Sequence, residues 1–217
     1  TVSGSTLTLV SSGSCALTAT QAGNANYEAA TSVTRTITVS KATPTVSSMS
    51  TQSKTYGDAS FTLTAPTATY QAASVAGSVG YSSSDTSVAS VNSGTGAVTI
   101  AGAGSATITA TFTPTDTGKF NTATTTYSVS VAKASQTISF TSPGNQTYSA
   151  STISLTFSAT SGLTPTVTSG DTSVCTVSGS TLTLVSSGSC ALTATQAGNA
   201  NYEAATSVTR TITVSKA

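Results

Sequence analysis

The sequence contains no histidine and no tryptophan, and charged residues make up only 6% of its 217 residues. Without histidine, a nucleophilic Ser or Cys lacks its usual general base, so the common catalytic triads are excluded. Seven Lys and Arg residues and a net charge of +1 cannot supply the basic face that nucleic-acid phosphates require. We therefore expect neither an enzyme nor a nucleic-acid-binding protein, and no cofactor.

Long apolar runs are also missing. No stretch approaches the roughly 18 to 20 residues of a membrane-spanning helix, and no signal peptide is present, so any targeting segment would lie outside these residues. Ser and Thr are abundant, as they are in disordered stalks. Disorder, however, usually accompanies low hydrophobicity and high net charge, whereas 37% of this chain is hydrophobic. A packed β structure is the better prediction.

The chain repeats itself at two levels. Residues 1–42 recur letter for letter as residues 176–217, at an offset of 175 residues. Within that period, "SSDTSVASVNSGTGAVTIAGAGSATITATF" aligns with "SGDTSVCTVSGSTLTLVSSGSCALTATQ", so that Asp85 matches Asp171 and Gly104 matches Gly188. Such self-similarity indicates tandem domains. We predict the closing half of a domain over 1–42, a domain without Cys over 43–133, and a domain with a Cys pair over 134–217.

Alternating side chains predict strands throughout. In "SATITATF", Ala and Ile share one parity with Phe112 while Thr occupies the other, which is the period-2 pattern of a half-buried strand. Gly-, Ser- and Asn-rich clusters separate such runs as turns. Roughly seven short strands in each domain are typical of an immunoglobulin-like β-sandwich. The predicted fold is all-β, with tandem sandwiches joined by short linkers at Lys41, Lys133 and Lys216, which would make the array stiff.

Two cysteines lie on predicted core faces. Cys175 shares its strand parity with Val177, and Cys190 shares its parity with Leu192. A disulfide between Cys175 and Cys190 is the favoured interpretation, and it fits an oxidising extracellular location. It would close a loop of about 15 residues, worth roughly 3 kcal/mol in the chain-entropy model. The alternative is two buried free thiols. Metal binding is disfavoured because it needs three or four ligands.

Cys15 is the counterpart of Cys190, but residues 1–42 contain no counterpart of Cys175. An isolated half-sandwich leaves its apolar face and strand edges exposed. We expect the other half to come from another copy, through a filament of chained repeats or through strand exchange. The alternative is a preceding domain of the same chain. Cys15 is thus a candidate for an inter-chain or preceding-domain disulfide.

The remaining polar residues offer weaker signals. Six acids are too dispersed for a calcium cage: Glu28, Asp58, Asp85, Asp116, Asp171 and Glu203. Asp85 and Asp171 occupy equivalent turns, where Asp commonly accepts hydrogen bonds from its own backbone. An isopeptide cross-link through Lys54 with Asp58, or Lys119 with Asn121, is a minor alternative to exposed Lys.

Several aromatic residues recur at matching places in the two domains. Tyr56, Tyr148, Phe120 and Tyr202 are interpreted as core or corner anchors. Tyr70 and Tyr81 have no aromatic counterpart, so for them a surface role is the less favoured alternative to the core.

Three segments carry a family resemblance. Residues 81–112, with "VASV", a Gly turn and a "GSATITA" strand, resemble the bacterial immunoglobulin-like group 2 repeat. "GNANYEAATSVTRTITVSKA" looks like the repeat that closes many domains of very large bacterial surface proteins, and "KTYGD" resembles the start of a related surface repeat. The resemblance implies a structural stalk or fibre segment at the cell surface, with neighbouring copies as partners. A glycan- or protein-receptor-binding module of an adhesin is the alternative.

Overall fold

The structure, a computed structural model, describes residues 1–217 and contains strands but no helix. No helix is therefore long and apolar enough to cross a membrane. The Thr- and Val-rich alternation explains the strands, because β-branched side chains pack well on a pleated surface. The all-β prediction is confirmed.

Residues 1–42, called the leading segment, form two hairpins. The four strands are β1 (Val2–Ser3), β2 (Thr6–Leu7), β3 (Gly13–Gln21) and β4 (Ala30–Val39). β1 pairs with β2 and β3 pairs with β4, both antiparallel. Neither hairpin pairs with any later strand of the chain, so each is a two-stranded sheet.

Ten strands build the central sandwich, which spans residues 45–132. They are β5 (Thr45–Val46), β6 (Gln52–Thr55), β7 (Phe61–Thr62), β8 (Ala68–Tyr70), β9 (Ala73–Ser74), β10 (Gly77–Ser83), β11 (Ala89–Val91), β12 (Ala97–Ile100), β13 (Gly104–Pro114) and β14 (Ala123–Ala132). One sheet has the order β10-β13-β14-β6, another the order β11-β12-β7, and a small third sheet the order β5-β8-β9.

Nine strands build the closing sandwich, which spans residues 138–215. They are β15 (Ile138–Phe140), β16 (Gln146–Thr147), β17 (Ile153–Ser154), β18 (Phe157–Ala159), β19 (Thr166–Ser169), β20 (Cys175–Ser178), β21 (Thr181–Leu184), β22 (Gly188–Thr195) and β23 (Val208–Ser215). The order of one sheet is β16-β23-β22-β19 and that of the other is β17-β21-β20, with β15 paired to β18. Matching sheet orders in the two sandwiches confirm tandem immunoglobulin-like domains.

The core lies between the sheets and follows the predicted parity. In β13, Ala106, Ile108, Ala110 and Phe112 are all buried. In the closing sandwich the fully buried side chains include Leu182, Leu192 and Ile212 together with both cysteines of the predicted pair. Burial of this apolar surface is the main force that holds each sandwich together.

The chain divides into two compact units, within which most contacts between residues are made. The first comprises Thr1–Gln52, Ser60–Thr99 and Ala106–Val129, and the second comprises Ser53–Ala59, Ile100–Ser105 and Ser130–Ala217. The first unit joins the leading segment to most of the central sandwich, and the second unit includes loops and strand ends of the central sandwich, so this division does not test the predicted domain boundaries near residues 43 and 134. Those boundaries stay a prediction.

Candidate functional site

The cysteine pair sits inside the closing sandwich. Cys175 begins β20 in one sheet and Cys190 lies in β22 of the other, with Cα atoms 6.2 Å apart and the two Sγ atoms in bonded contact. Neither residue has any exposed surface. Ser169 Oγ lies 3.4 Å from Cys175 Sγ and 3.2 Å from Cys190 Sγ. The arrangement can tie one sheet to the other through the core.

The central sandwich has alanines at the two positions that the cysteines occupy in the closing sandwich. Its counterparts Ala89 and Ala106 are buried, and Ser83, the counterpart of Ser169, donates a hydrogen bond of 2.6 Å from its Oγ to the Ala89 carbonyl oxygen. The serine at this position therefore makes a polar contact in both sandwiches, with the cysteine sulfurs in one and with a backbone carbonyl in the other. Small Ala side chains at both positions also show that the sandwich packs without a sulfur bridge.

The leading segment exposes the face that its copy buries. Leu9 is 60% exposed, whereas its counterpart Leu184 is 4% exposed. Cys15 is exposed and unbonded, whereas Cys190 is completely buried. The two copies have identical sequences, so the difference comes only from what covers the face. The proposed pairing of Cys15 with another cysteine remains a prediction.

A loop-to-loop joint occurs in each compact unit. In the first unit, the Ser12 backbone N donates to the Gly118 carbonyl oxygen at 3.0 Å, and Ser12 Oγ donates to the same oxygen at 2.7 Å. In the second unit, the Ala103 backbone N donates to Asn201 Oδ1 at 2.9 Å. Ser12 and Ala103 each precede a matching glycine. The sequence predicted linkers at Lys41 and Lys133 but gave no indication of these hydrogen bonds.

Two aromatic rings add to the second joint. The rings of Tyr56 and Tyr202 meet edge to face, with centroids 5.4 Å apart. Edge-to-face contact of this kind is favourable beyond the area that it buries. Both residues were interpreted as anchors, and here they anchor a joint.

Asp85 and Asp171 act as turn caps, which confirms the interpretation from sequence. Asp171 Oδ1 accepts hydrogen bonds from the backbone N and from Oγ of Ser173 at 2.9 and 2.6 Å, and Asp85 repeats both bonds with Ser87. The hydroxyl bond, followed by the backbone bond, lowers the pKa of each carboxyl group below its ordinary value. These carboxylates stabilise turns and do not converge on a common site.

The other charged groups are equally dispersed. Asp116 forms an exposed ion pair with Lys119 at 3.1 Å, and the hydrogen bond from Lys119 followed by its charge lowers the pKa of Asp116. Asn121 Nδ2 donates to Thr43 Oγ1 at 3.2 Å, so Lys119 and Asn121 have separate partners. No three Cys, Asp or Glu residues cluster as metal ligands would.

Tyr148 and Tyr81 differ in how deeply their rings are buried. Tyr148 is 42% exposed, which excludes a core position, and its role as a corner anchor stays a prediction. Tyr81 is buried, as the favoured interpretation held, and its ring packs over Gly96, where an added Cβ would lie 3.0 Å from Tyr81 Cζ. In the sequence, the glycine of the "SGTG" turn was the feature that could have predicted room for a ring beside it. Burial raises the pKa of the Tyr81 hydroxyl.

Tyr70 lines a shallow groove in the first compact unit. The groove has a volume of about 760 Å³ and is bounded by Tyr70, Phe120 and the loop around Asp116. Tyr70 is 39% exposed, and its ring meets that of Phe120 edge to face at 5.7 Å. The adjoining turn holds Gln71 and Ala72 at φ of 49° and 65°, a conformation that non-glycine residues rarely adopt. No sequence signal pointed to this turn.

No family model and no curated protein matches the chain. Among solved structures, it is similar to Drosophila N-cadherin EC1-4, with 13% identity and a TM-score of 0.35 over 88% of this chain and 53% of that one. It is also similar to titin domains z1z2 in complex with telethonin, with 16% identity and a TM-score of 0.39 over 82% and 98%. A third similar structure is surface layer protein SbsC, domains 1-6, with 21% identity and a TM-score of 0.32. The match covers 74% of this chain and 24% of that one. The chain thus spans about half of the cadherin and a quarter of the surface-layer chain.

Proposed function

We propose that the chain is a structural, non-catalytic repeat segment of an extracellular bacterial fibre, filament or adhesin stalk. The observation that carries the proposal is the recurrence of one joint. In both compact units the backbone N of the residue before a matching glycine, Ser12 or Ala103, donates to the loop before the final strand of the next sandwich. A contact that repeats along a tandem chain is what an extended array needs.

The donor in this joint depends little on sequence. Every residue except proline carries a backbone N–H, so the joint survives the change from Ser12 to Ala103. The acceptor changes from the Gly118 carbonyl oxygen to Asn201 Oδ1. The same type of joint can therefore form between successive repeats even when their surface side chains differ. We expect neighbouring copies of the same repeat to be the main partners.

The sandwiches themselves favour a mechanical role in a harsh extracellular setting. Each has an apolar core, and the closing sandwich adds the Cys175–Cys190 contact between its two sheets. We propose that this contact is a disulfide in the mature protein, which requires an oxidising compartment.

The joint is tested with the double variant Asn201→Ala and Tyr202→Ala. Loss of the hydrogen bond and of the ring contact should let the central and closing sandwiches tumble separately, so that nuclear-spin relaxation gives each a shorter rotational correlation time. The matched control is Asn26→Ala with Tyr27→Ala, the same residues in the leading segment, where Tyr27 is 76% exposed. Independent tumbling already present in the unmodified chain would contradict a stiff stalk.

The groove at Tyr70 favours receptor binding as a second candidate function. A partly exposed aromatic ring beside a loop that carries Asp116 and Lys119 can stack on a sugar and hydrogen-bond to its hydroxyl groups.

A glycan array tests this alternative. If the groove binds sugar, Tyr70→Ala should lower the signal by about tenfold, while Tyr27→Ala, which also removes an exposed tyrosine, should leave it unchanged. No bound glycan, or equal effects of the two variants, would leave the stalk as the better account.

A further inference from the structure

One place in the fold is filled by phenylalanine rings in the closing sandwich and by smaller side chains in the central one. Residues 41–56 align without a gap with residues 133–148, which sets Ser48 against Phe140. Phe140 is 2% exposed, and its ring meets that of Phe157 edge to face, with centroids 6.3 Å apart. The two rings pack together at the closing core, whereas the central sandwich has no ring at Ser48.

Strand pairing identifies the counterpart of the second ring. Val46 and its counterpart in β15 pair with Ala68 and Ala159, respectively. Phe157 lies two residues before Ala159, so its counterpart is Pro66, which lies two residues before Ala68. Both phenylalanines are therefore replaced by smaller, non-aromatic residues in the central sandwich.

The central sandwich has a cavity at this place, called the Ser48 cavity. Its volume is about 370 Å³, and both Ser48 and Pro66 line it. The rings of Phe61 and Tyr127, with centroids 6.5 Å apart, form an aromatic wall, and Leu63 adds apolar surface. An apolar cavity of roughly 150 Å³ admits benzene, and ligand pockets begin at roughly 300 Å³. The Ser48 cavity is thus large enough for a ligand with two rings.

The other lining residues limit the polarity and charge of such a ligand. Ser47, Ser50 and Gln52 bring hydroxyl and amide groups to the cavity, and no lining residue is charged. A neutral ligand is favoured, because burying an unpaired charge is costly. Met49 also lines the cavity, and its flexible thioether side chain can adapt to the shape of a bound ring.

We propose that the Ser48 cavity binds a neutral aromatic compound with two rings and a hydroxyl group. The closing sandwich indicates this class of ligand, because two phenylalanine rings fill the equivalent place there. A bound ring can meet Phe61 and Tyr127 edge to face, as aromatic pairs prefer, while its hydroxyl group bonds to the polar lining. The inference goes beyond the mechanical role and does not rest on it, since binding needs only the central sandwich.

Titration of the full 217-residue chain with para-phenylphenol tests the proposal. Met49 is the one methionine of the chain, so carbon-13 labelling of methionine methyl groups places a single NMR probe in the cavity. We expect the Met49 methyl resonance to shift and to saturate at one ligand per chain, because a ring changes the magnetic field at a methyl group that it contacts. The absence of a saturable shift up to the solubility limit of the compound would overturn the proposal.

Two variants put a ring back into the cavity. Ser48→Phe and Pro66→Phe should each weaken binding by at least roughly tenfold, because each occupies the space of one ligand ring. Thr126→Phe is the matched control, since Thr126 is exposed and precedes Tyr127 on the opposite face of β14. It adds the same ring outside the cavity and should change the affinity less than about threefold. Unchanged affinity in either cavity variant that keeps the circular dichroism spectrum of the unmodified chain would overturn the proposal.

Two further ligands test the class of compound. Para-phenylbenzoate has the same two rings but carries a charge, so it should bind at least roughly tenfold more weakly than para-phenylphenol. Equal affinity for the two compounds would contradict a neutral ligand. A glycine- and serine-rich pentapeptide with a central phenylalanine represents the aromatic side chain of a protein partner. Tighter binding of this peptide than of para-phenylphenol would overturn the proposal in favour of such a partner.

Discussion

At the scale of single residues, Gly188 shows how closely the closing sandwich is packed. Its φ is 152°, and an added Cβ would lie 2.7 Å from Val174 Cγ2. We expect Gly188→Ala to lower the free energy of unfolding of the closing sandwich by about 1–3 kcal/mol through overpacking, in addition to backbone strain. Chemical denaturation followed by circular dichroism measures the change.

The control for Gly188 is Gly179→Ala in the same sandwich. Gly179 also has positive φ, at 59°, but an added Cβ there meets nothing within 4 Å. It therefore reports backbone strain alone, and we expect a smaller loss of stability. Equal losses for the two variants would show that the contact with Val174 does not matter.

Asp171 predicts how the closing sandwich responds to acid. Its pKa is lowered in the folded state by the hydrogen bonds from Ser173, whereas in the unfolded chain it returns to about 3.9. Its stabilising contribution is therefore complete above that value and is lost as the pH falls through the lower folded-state pKa. We expect the melting temperature to be flat near neutral pH and to fall below about pH 4.

Asp171→Asn provides the comparison. An amide oxygen can still accept the bonds from Ser173 but does not titrate, so the acid-induced fall should be shallower in this variant. Melting curves recorded by circular dichroism between neutral pH and pH 2 measure the difference. Superimposable pH profiles for the two proteins would mean that another group controls acid stability.

At the scale of strands and sheets, the cysteine pair predicts an asymmetry between the two sandwiches. The double variant Cys175→Ala and Cys190→Ala copies the pair that the central sandwich already has, Ala89 and Ala106. We expect it to destabilise the closing sandwich by about 3 kcal/mol, because the unfolded loop is no longer constrained. Hydrogen exchange followed by mass spectrometry can resolve this loss by region.

Two controls accompany the cysteine variant. Protection in the central sandwich should not change, and Cys15→Ala should leave the stability of the closing sandwich as it was, since Cys15 is unbonded. If an alkylating agent modifies Cys175 and Cys190 when the unreduced chain is unfolded in denaturant, the disulfide is absent in solution.

Strand positions could be predicted because alternation is a local property. The parity of Ile108 and its neighbours in β13 follows from sequence alone, and the structure buries them accordingly. A core position for Tyr148 was not decided by the sequence, because recurrence with Tyr56 does not specify burial. Tyr56 meets the ring of Tyr202, whereas Tyr148 is 42% exposed. A ring is buried only if another element reaches it.

At the scale of the whole molecule, low charge predicts a weak response to salt. Only 6% of residues are charged, and the ion pair of Asp116 with Lys119 is exposed, where such pairs contribute little. We expect melting temperatures to change by less than about 3 °C between about 0.05 M and about 1 M NaCl, because few charges are available to screen.

Differential scanning calorimetry in NaCl and in choline chloride separates screening from specific sodium effects. A shift larger than about 5 °C in both salts would show that long-range electrostatics matters more than the composition suggests.

The sequence by itself determined the β structure, the repeat and the residues that face the core, because side-chain alternation and turn residues act over a few positions. It also predicted the pairing of Cys175 with Cys190 from their parity. Only the tertiary structure gave the extent to which each side chain is buried in the two copies of the identical sequence. Leu184 is covered by residues 134–175 and Leu9 has no such cover. Burial depends on segments distant in the chain, and identical local sequences carry no information about it.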